Sequence, residues 1–294
     1  MKFLTYKYNN EEKIGVVSKD GNKVIDLSTV LKLKTNISML EFIDNYKIEY
    51  ETKIRKKIEE NKGIKIEKIE LQAPIPEPRR GIICLGKNYK EHVKEVPSAM
   101  DLKGGIPENP IYFCKLVDRA VPDGKNISSH IDITKELDYE VELAIIIGKE
   151  GRNIARDKVE EYIFGYTILN DILARNLQTK HTQWLAGKSL DGTCPMGPYI
   201  VHKSKIKFPI ELDIKCYING ELRQNSNTKE MIFDIPYIIS ELSKGITLKP
   251  GDIISTGTPC GVGMGFKPAK FLNSGDEVTC IIENIGKMTN KVED

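Results

Sequence analysis

The sequence predicts an α+β fold that is mostly β, and three observations carry that expectation. Short apolar runs of β type recur along most of the 294 residues, with turn residues between them. Helical periodicity is confined to a few segments. The two patterns do not alternate regularly, which argues against a doubly wound parallel sheet and for strands folded over one another.

The elements follow in chain order. "KIGVVSKDGNKVIDLS" reads as two short strands joined at Lys19-Asp20-Gly21-Asn22, with Asp20-Gly21 as the hairpin signal. Ser38-Met39-Leu40-Glu41 has the spacing of a capping box and predicts a helix start. A second helix is expected to end near Asn61 and Gly63, and Ile64, Ile66 and Leu71 then mark a strand. The Lys-rich stretch from Lys47 to Lys68 is interleaved with Glu, so it reads as a solvated helix face. Three prolines between Pro74 and Pro78 can continue neither a helix nor a central strand. They divide the chain into a small α+β N-terminal module (1–73), a Pro-rich linker (74–78) and a larger domain (79–294). In the larger domain, β-type runs occupy Gly81–Leu85, Ile111–Cys114, Tyr139–Ile147, Tyr162–Leu169, Leu212–Ile218, Asp252–Thr256 and Glu277–Glu283. Helices are expected after Asn170 and around Ile232–Leu242.

Composition narrows the function. With 40% apolar residues the chain can bury a full core. Its 44 basic and 42 acidic side chains leave a net charge of +2, which gives no electrostatic case for nucleic acid or an anionic membrane. No apolar run approaches the ~20 residues of a membrane span. The opening "MKFLTYKYNNEEKIG" lacks the apolar region of a signal peptide. Cysteines 84, 114, 194, 216, 260 and 280 lie scattered without metal spacing. They are expected to be reduced core residues, and the chain is expected to be cytoplasmic.

The stretch "KELDYEVELAIIIG" is the first with chemical content. As a strand it puts Asp138, Glu140 and Glu142 on one face and Tyr139, Val141 and Leu143 on the other. A solvated edge strand would tolerate three acids in line, whereas burying them unpaired costs several kcal/mol. In "GYTILNDILARNLQ", Asp171 stands where a β-type run gives way to a helix, well placed to point at the end of a neighbouring strand. Two Glu and one Asp form an all-oxygen set suited to Mg²⁺, Mn²⁺ or Ca²⁺. Four histidines without zinc-site spacing give little support for zinc. Arg175 and Gln178 follow Asp171 at i+4 and i+7 on one helical face. Arg175 there either pairs with Asp171 or receives a substrate carboxylate. His92 and Glu95 in "ICLGKNYKEHVKEV" lie three apart, which makes either a surface pair or an acid–base pair. The downstream "VPSAMDLKGGIPENP" reads as a surface loop or as a lid spanning Lys90 to Glu108. Two apparent nucleotide motifs fail. Thr182 stands where a phosphate loop ending in Gly187-Lys188-Ser189 needs glycine, and Phe266 breaks a dinucleotide fingerprint in "GVGMGF".

Together, "ICLGKNY", "DYEVELAIIIG", "GYTILNDILARNLQ", "GKSLDGTCPMGP" and "TGTPCGVGMG" resemble, in the same order, segments of the fumarylacetoacetate hydrolase family. The resemblance runs from about Arg79 to Gly286, and the first 73 residues resemble the small module many members carry. It implies a mixed β-roll or sandwich catalytic domain, a homodimer, and a small 2-oxo acid substrate. It also implies Mg²⁺ or Mn²⁺, with Ca²⁺ able to substitute, held by Glu140, Glu142 and Asp171. Asp138 is left as solvated or as a supporting residue behind the ligands. His92 and Glu95 match a lid pair that activates water, and Lys188 matches a lysine that stabilises an oxyanion. Arg175, Gln178 and Thr258 match positions near the substrate. Leu173 and Asn176 depart from the family's "NDxSARDxQ", which touches no ligand position but bears on the tuning of Arg175. The implied activity is hydrolysis of a C–C bond in a 2,4-dioxo acid of the acylpyruvate type. Oxaloacetate decarboxylation and 2-hydroxy-dienoate isomerisation are its alternatives at the same site. A catalytically silent metal-binding or assembly protein is the rival of another class, and the joint presence of His92, Glu95 and Lys188 argues against it.

Overall fold

The computed structural model describes residues 1–95 and 105–294. Strands β1 (Lys2–Tyr8), β2 (Glu11–Val17) and β3 (Lys23–Asp26) form an antiparallel meander. The Asp20-Gly21 turn joins β2 to β3 and keeps Val17 opposite Val24. Helix α1 (Leu27–Leu31) follows, and α2 (Met39–Asp44) starts with Ser38 and Glu41 closing both halves of the capping box. Helix α3 (Glu49–Glu60) buries only Ile54 and stops where Asn61 takes a left-handed conformation, so the Lys/Glu stretch is a solvated face. The single strand expected over residues 64–71 is two, β4 (Ile64–Lys65) and β5 (Glu70–Gln72), split by a turn of 3₁₀ helix.

The prolines that follow are packed. Pro74 accepts a hydrogen bond from Thr5 Oγ1 (2.7 Å), Pro76 accepts one from Ala120 N (2.8 Å), and Ile75 is buried. The chain then forms β6 (Ile82–Gly86), α4 (Lys90–Glu95), β7 (Ile111–Lys115), β8 (Asn126–Ser128), β9 (Leu137–Asp138) and β10 (Val141–Ile147). Next come α5 (Val159–Tyr162), β11 (Ile163–Asn170), β12 (Leu173–Ala174), α6 (Arg175–Lys180), α7 (Leu185–Lys188) and β13 (Met196–His202). The chain closes with β14 (Asp213–Ile218), β15 (Glu221–Asn227), α8 (Ile235–Leu242), β16 (Ile253–Ser255), β17 (Glu277–Ile282) and β18 (Gly286–Glu293).

Two large sheets and a two-stranded ribbon of β9 with β12 organise these elements. The larger runs β4-β3-β2-β1-β13-β11-β10-β16-β6-β7, with β5 also on β1, and the smaller runs β15-β14-β17-β18-β8. Pairing is antiparallel except for β16 with β6 and β18 with β8. The prolines at 74–78 do not interrupt the large sheet, because β1, before them, pairs with β13, after them. Strand β10 has no solvent face. Tyr139, Val141, Leu143, Ile145 and Ile147 enter one core with the smaller sheet, and Ala144 and Ile146 enter a second core with the N-terminal helices. Glu140 and Glu142 share the parity of Ala144, so alternation carries both into the interior. Among the described residues no helix is long and apolar enough to cross a membrane. Cys84, Cys194, Cys216 and Cys280 are buried, as expected, but Cys114 is exposed and Cys260 only half-buried.

Candidate active site and metal centre

Antiparallel register places the site at the end of β10. Val141 faces Asn170 across the ladder, and the turn after β11 carries Asp171 back toward Glu140, whose carbonyl accepts from Asp171 N (2.8 Å). Glu140, Glu142 and Asp171 each offer a carboxylate oxygen, and these oxygens lie within 4.8 Å of one another. All three residues are buried, so the solvated-edge reading of this strand does not hold.

Cations surround the trio. Lys188, on α7, places Nζ 2.5 Å from Glu140 Oε2 and 2.6 Å from Asp171 Oδ2. Arg175, at the start of α6, reaches Asp138 Oδ2 (2.8 Å) and Glu140 Oε1 (2.7 Å), and donates to Gln178 Oε1 (3.0 Å). Its partner is therefore not Asp171. The helix begins at Arg175 rather than at Asp171, because β12 intervenes and pairs with β9. Asp138 is buried, not solvated, and also accepts from Gly263 N (2.6 Å) and Met264 N (3.1 Å). It ties the glycine-rich turn to Arg175.

Burial alone would raise every carboxyl here, and the neighbours separate them. Glu140 is held down to about 2 despite burial, because Lys188 and Arg175 outweigh it. Glu142 is pushed up to about 8 by burial and by the charges of Asp171 and Glu140. Lys188 is disfavoured by burial, but Asp171 and Glu140 keep its ammonium charged.

His92 and Glu95, on α4, are the second cluster. Nδ1 of His92 lies 3.3 Å from Glu95 Oε2, and the side chains are 7% and 15% exposed, so this is no surface pair. Glu95 is fixed from the other side by Gly261 N, at 2.9 and 3.0 Å from its two oxygens. Gly261 has φ +101°, and a Cβ at Gly265 would lie 2.0 Å from Glu95 Oε1, so this turn needs both glycines. Residues 96–104 of the expected lid lie outside the described residues. His92, Glu140, Glu142, Arg175, Gln178, Lys188 and Thr258 line one cavity. Thr258 Oγ1 donates to Val141 O (2.9 Å) and accepts from Gln224 Nε2 (2.8 Å).

The match to known proteins is extensive. Residues 81–293 match the family model described as fumarylacetoacetate (FAA) hydrolase C-terminal. The chain belongs to the fumarylacetoacetate hydrolase family. It is 50% identical over 227 residues to the oxaloacetate tautomerase YisK of Bacillus subtilis (strain 168), covering 77% of this chain and 74% of that one. It superposes on a fumarylacetoacetate hydrolase from Exiguobacterium antarcticum with a TM-score of 0.85 at 37% identity, covering 100% of this chain and 99% of that one. A maleylpyruvate hydrolase from Sphingobium sp. SYK-6, solved with manganese(II) and pyruvate, gives a TM-score of 0.80 at 28% identity, with coverage of 100% and 99%. The fold is thus the mixed β-roll of this family.

The family's divalent cation fits the residues present. The donors are all carboxylate oxygens, as a hard cation requires. Asp171 Oδ1 is buried and accepts no hydrogen bond, although the Lys115 ammonium lies 3.0 Å away. Glu142 sits where its ionised form lacks sufficient compensation, which a cation would supply.

Other neighbours of the trio were not singled out from the sequence. Lys115, fully buried at the end of β7, donates to Ile172 O (2.7 Å) and to Lys188 O as well as facing Asp171. Ser255 Oγ (2.6 Å) and Gly257 N (2.9 Å) donate to Glu142 Oε2, and Asn170 Oδ1 accepts from Glu140 N (3.0 Å). A lysine ending the otherwise apolar run "IYFCK" was the one available signal for Lys115.

Proposed function

We propose that this chain is a divalent-cation-dependent enzyme that interconverts the keto and enol forms of a short 2-oxo acid of the oxaloacetate type. One observation carries the reading: Glu140 and Glu142 line one cavity with His92 and Lys188, and the charged Lys188 ammonium ties Glu140 to Asp171, the third carboxylate of the trio. The name of the 50%-identical relative, an oxaloacetate tautomerase, supports the same substrate.

Glu140, Glu142 and Asp171 would hold the cation, which when bound acts as a Lewis acid at the substrate's keto oxygen. Each remaining residue has a separate task. His92 moves the proton between the carbon beside the keto group and the enol oxygen, and Glu95 orients the ring through Nδ1. Lys188 places its ammonium against the developing oxyanion. Arg175 holds Glu140 and Asp138 in register and keeps Gln178 facing the cavity.

Hydrolysis of an acylpyruvate is the second reading, favoured by the anchored His92–Glu95 pair, which is equally suited to deprotonating water. The test follows ultraviolet loss of enol-oxaloacetate and pyruvate release from acetylpyruvate, with Mg²⁺ or Mn²⁺ and with chelator. Cation-dependent ketonisation without pyruvate release supports the first reading. Faster pyruvate release supports the second, and no turnover of either acid overturns both.

A further inference from the structure

The cavity has an apolar corner that none of the catalytic tasks uses. Leu85, Gly86, Phe113 and Trp184 supply its apolar lining. Trp184 directly precedes α7, and its carbonyl accepts from Lys188 N (3.0 Å), so indole and catalytic ammonium belong to one short turn. The six-membered ring of the indole lies over Gly86. A Cβ at position 86 would stand 2.3 Å from Cζ3 and 2.6 Å from Cη2 of Trp184. The backbone there does not have a positive φ, so glycine is needed for space rather than for conformation. Phe113 braces the indole edge-on, with ring centroids 5.2 Å apart at 71°, and the same ring lies 5.3 Å from Lys188 Nζ.

Resting on the reading that this cavity binds a 2-oxo acid, we infer that Trp184, seated on Gly86 and braced by Phe113, sets the length of acid the site accepts. The polar end of the cavity fixes the carboxylate and keto group, so the remaining carbons of the acid point toward the aromatic corner. The half-buried indole is held on two sides, by the Gly86 backbone beneath it and the Phe113 ring beside it. A four-carbon acid stops short of the wall, and every further methylene meets it. A pocket wall of this kind discriminates by roughly tenfold or more per methylene.

Trp184 is the chain's one tryptophan, so its fluorescence reports occupancy of this corner without reference to turnover. The experiment titrates the Mn²⁺-loaded full chain with oxalate, pyruvate, 2-oxobutyrate, 2-oxohexanoate and 2-oxooctanoate, by fluorescence and calorimetry. The expected result is binding that weakens sharply beyond four carbons. In Trp184→Ala, calorimetry should show the ratio of Kd for the eight-carbon to the four-carbon acid falling at least tenfold. Trp184→Phe keeps an aromatic contact with Phe113 and should shift the ratio part of the way, which covers a poorly folded alanine variant. If the unchanged protein binds none of these acids, the functional reading fails and the length limit with it. If it binds them and both variants keep the original length order, the length limit alone is overturned.

Discussion

Replacing Lys188 by methionine keeps the length of the side chain and removes its charge. The ammonium is fully buried and lies 2.5 Å from Glu140 and 2.6 Å from Asp171. With Lys115 and Arg175 it offsets the carboxylates of Asp138, Glu140, Glu142 and Asp171. Removing one partner of a buried pair costs about 3–5 kcal/mol, because the other charge stays buried without compensation. At about 2–4 °C per kcal/mol for a chain of this size, Tm in chelator should fall by roughly 6–20 °C. A divalent cation supplies charge to the same oxygens, so Mn²⁺ at about a hundred times its Kd should return about 2.7 kcal/mol of stability. Activity should stay low, since the oxyanion still lacks its ammonium. Thermal unfolding by circular dichroism, with chelator and with Mn²⁺, measures both effects. A variant as stable as the parent in chelator, or one whose Tm ignores Mn²⁺, would refute the charge accounting.

Three further outcomes are expected. His92→Ala should lower kcat/KM for oxaloacetate ketonisation by about a hundredfold or more while sparing any decarboxylation, which needs no base; equal losses in the two assays contradict that assignment. Asp138→Ala leaves Arg175 with Glu140 as its one carboxylate partner and frees two N–H groups of the glycine turn, so urea unfolding should show a loss of about 3 kcal/mol; a change within experimental scatter argues against that role. His202 is buried among Phe3, Tyr46 and Phe164, and burial, reinforced by the N-terminal ammonium, Lys203 and Arg55 against Glu51, brings it down to about 4 from 6.5. Its ring is neutral when folded and charges on unfolding, so the stability is complete above pH ~6.5 and is lost as pH falls toward ~4, by up to about 3 kcal/mol. His202→Gln should flatten that acid limb, and an unchanged slope of Tm against pH from 7 to 4 would remove His202 as its cause.

Local chemistry accounts for what the sequence determined unaided. The capping box at Ser38 and Glu41, the Asp20-Gly21 hairpin and the left-handed stop at Asn61 all depend on residues within a few positions of one another. The same holds for Glu140 and Glu142, two apart on one strand, whose shared face follows from the pleat. Strands β13, β15 and β18 escaped notice because Pro198 interrupts the first and the others are largely polar. Tertiary structure decided the partners. Ser255 reaches Glu142 across 113 positions, Lys115 meets Asp171 from a different strand, and Arg175 turns to Asp138 once β12 pairs with β9. Pairing of β1 with β13 likewise carries the N-terminal strands into the large sheet despite the prolines between. Periodicity and capping are properties of neighbouring residues, whereas compensation of a buried charge depends on which distant groups the sheet register brings within a few ångströms.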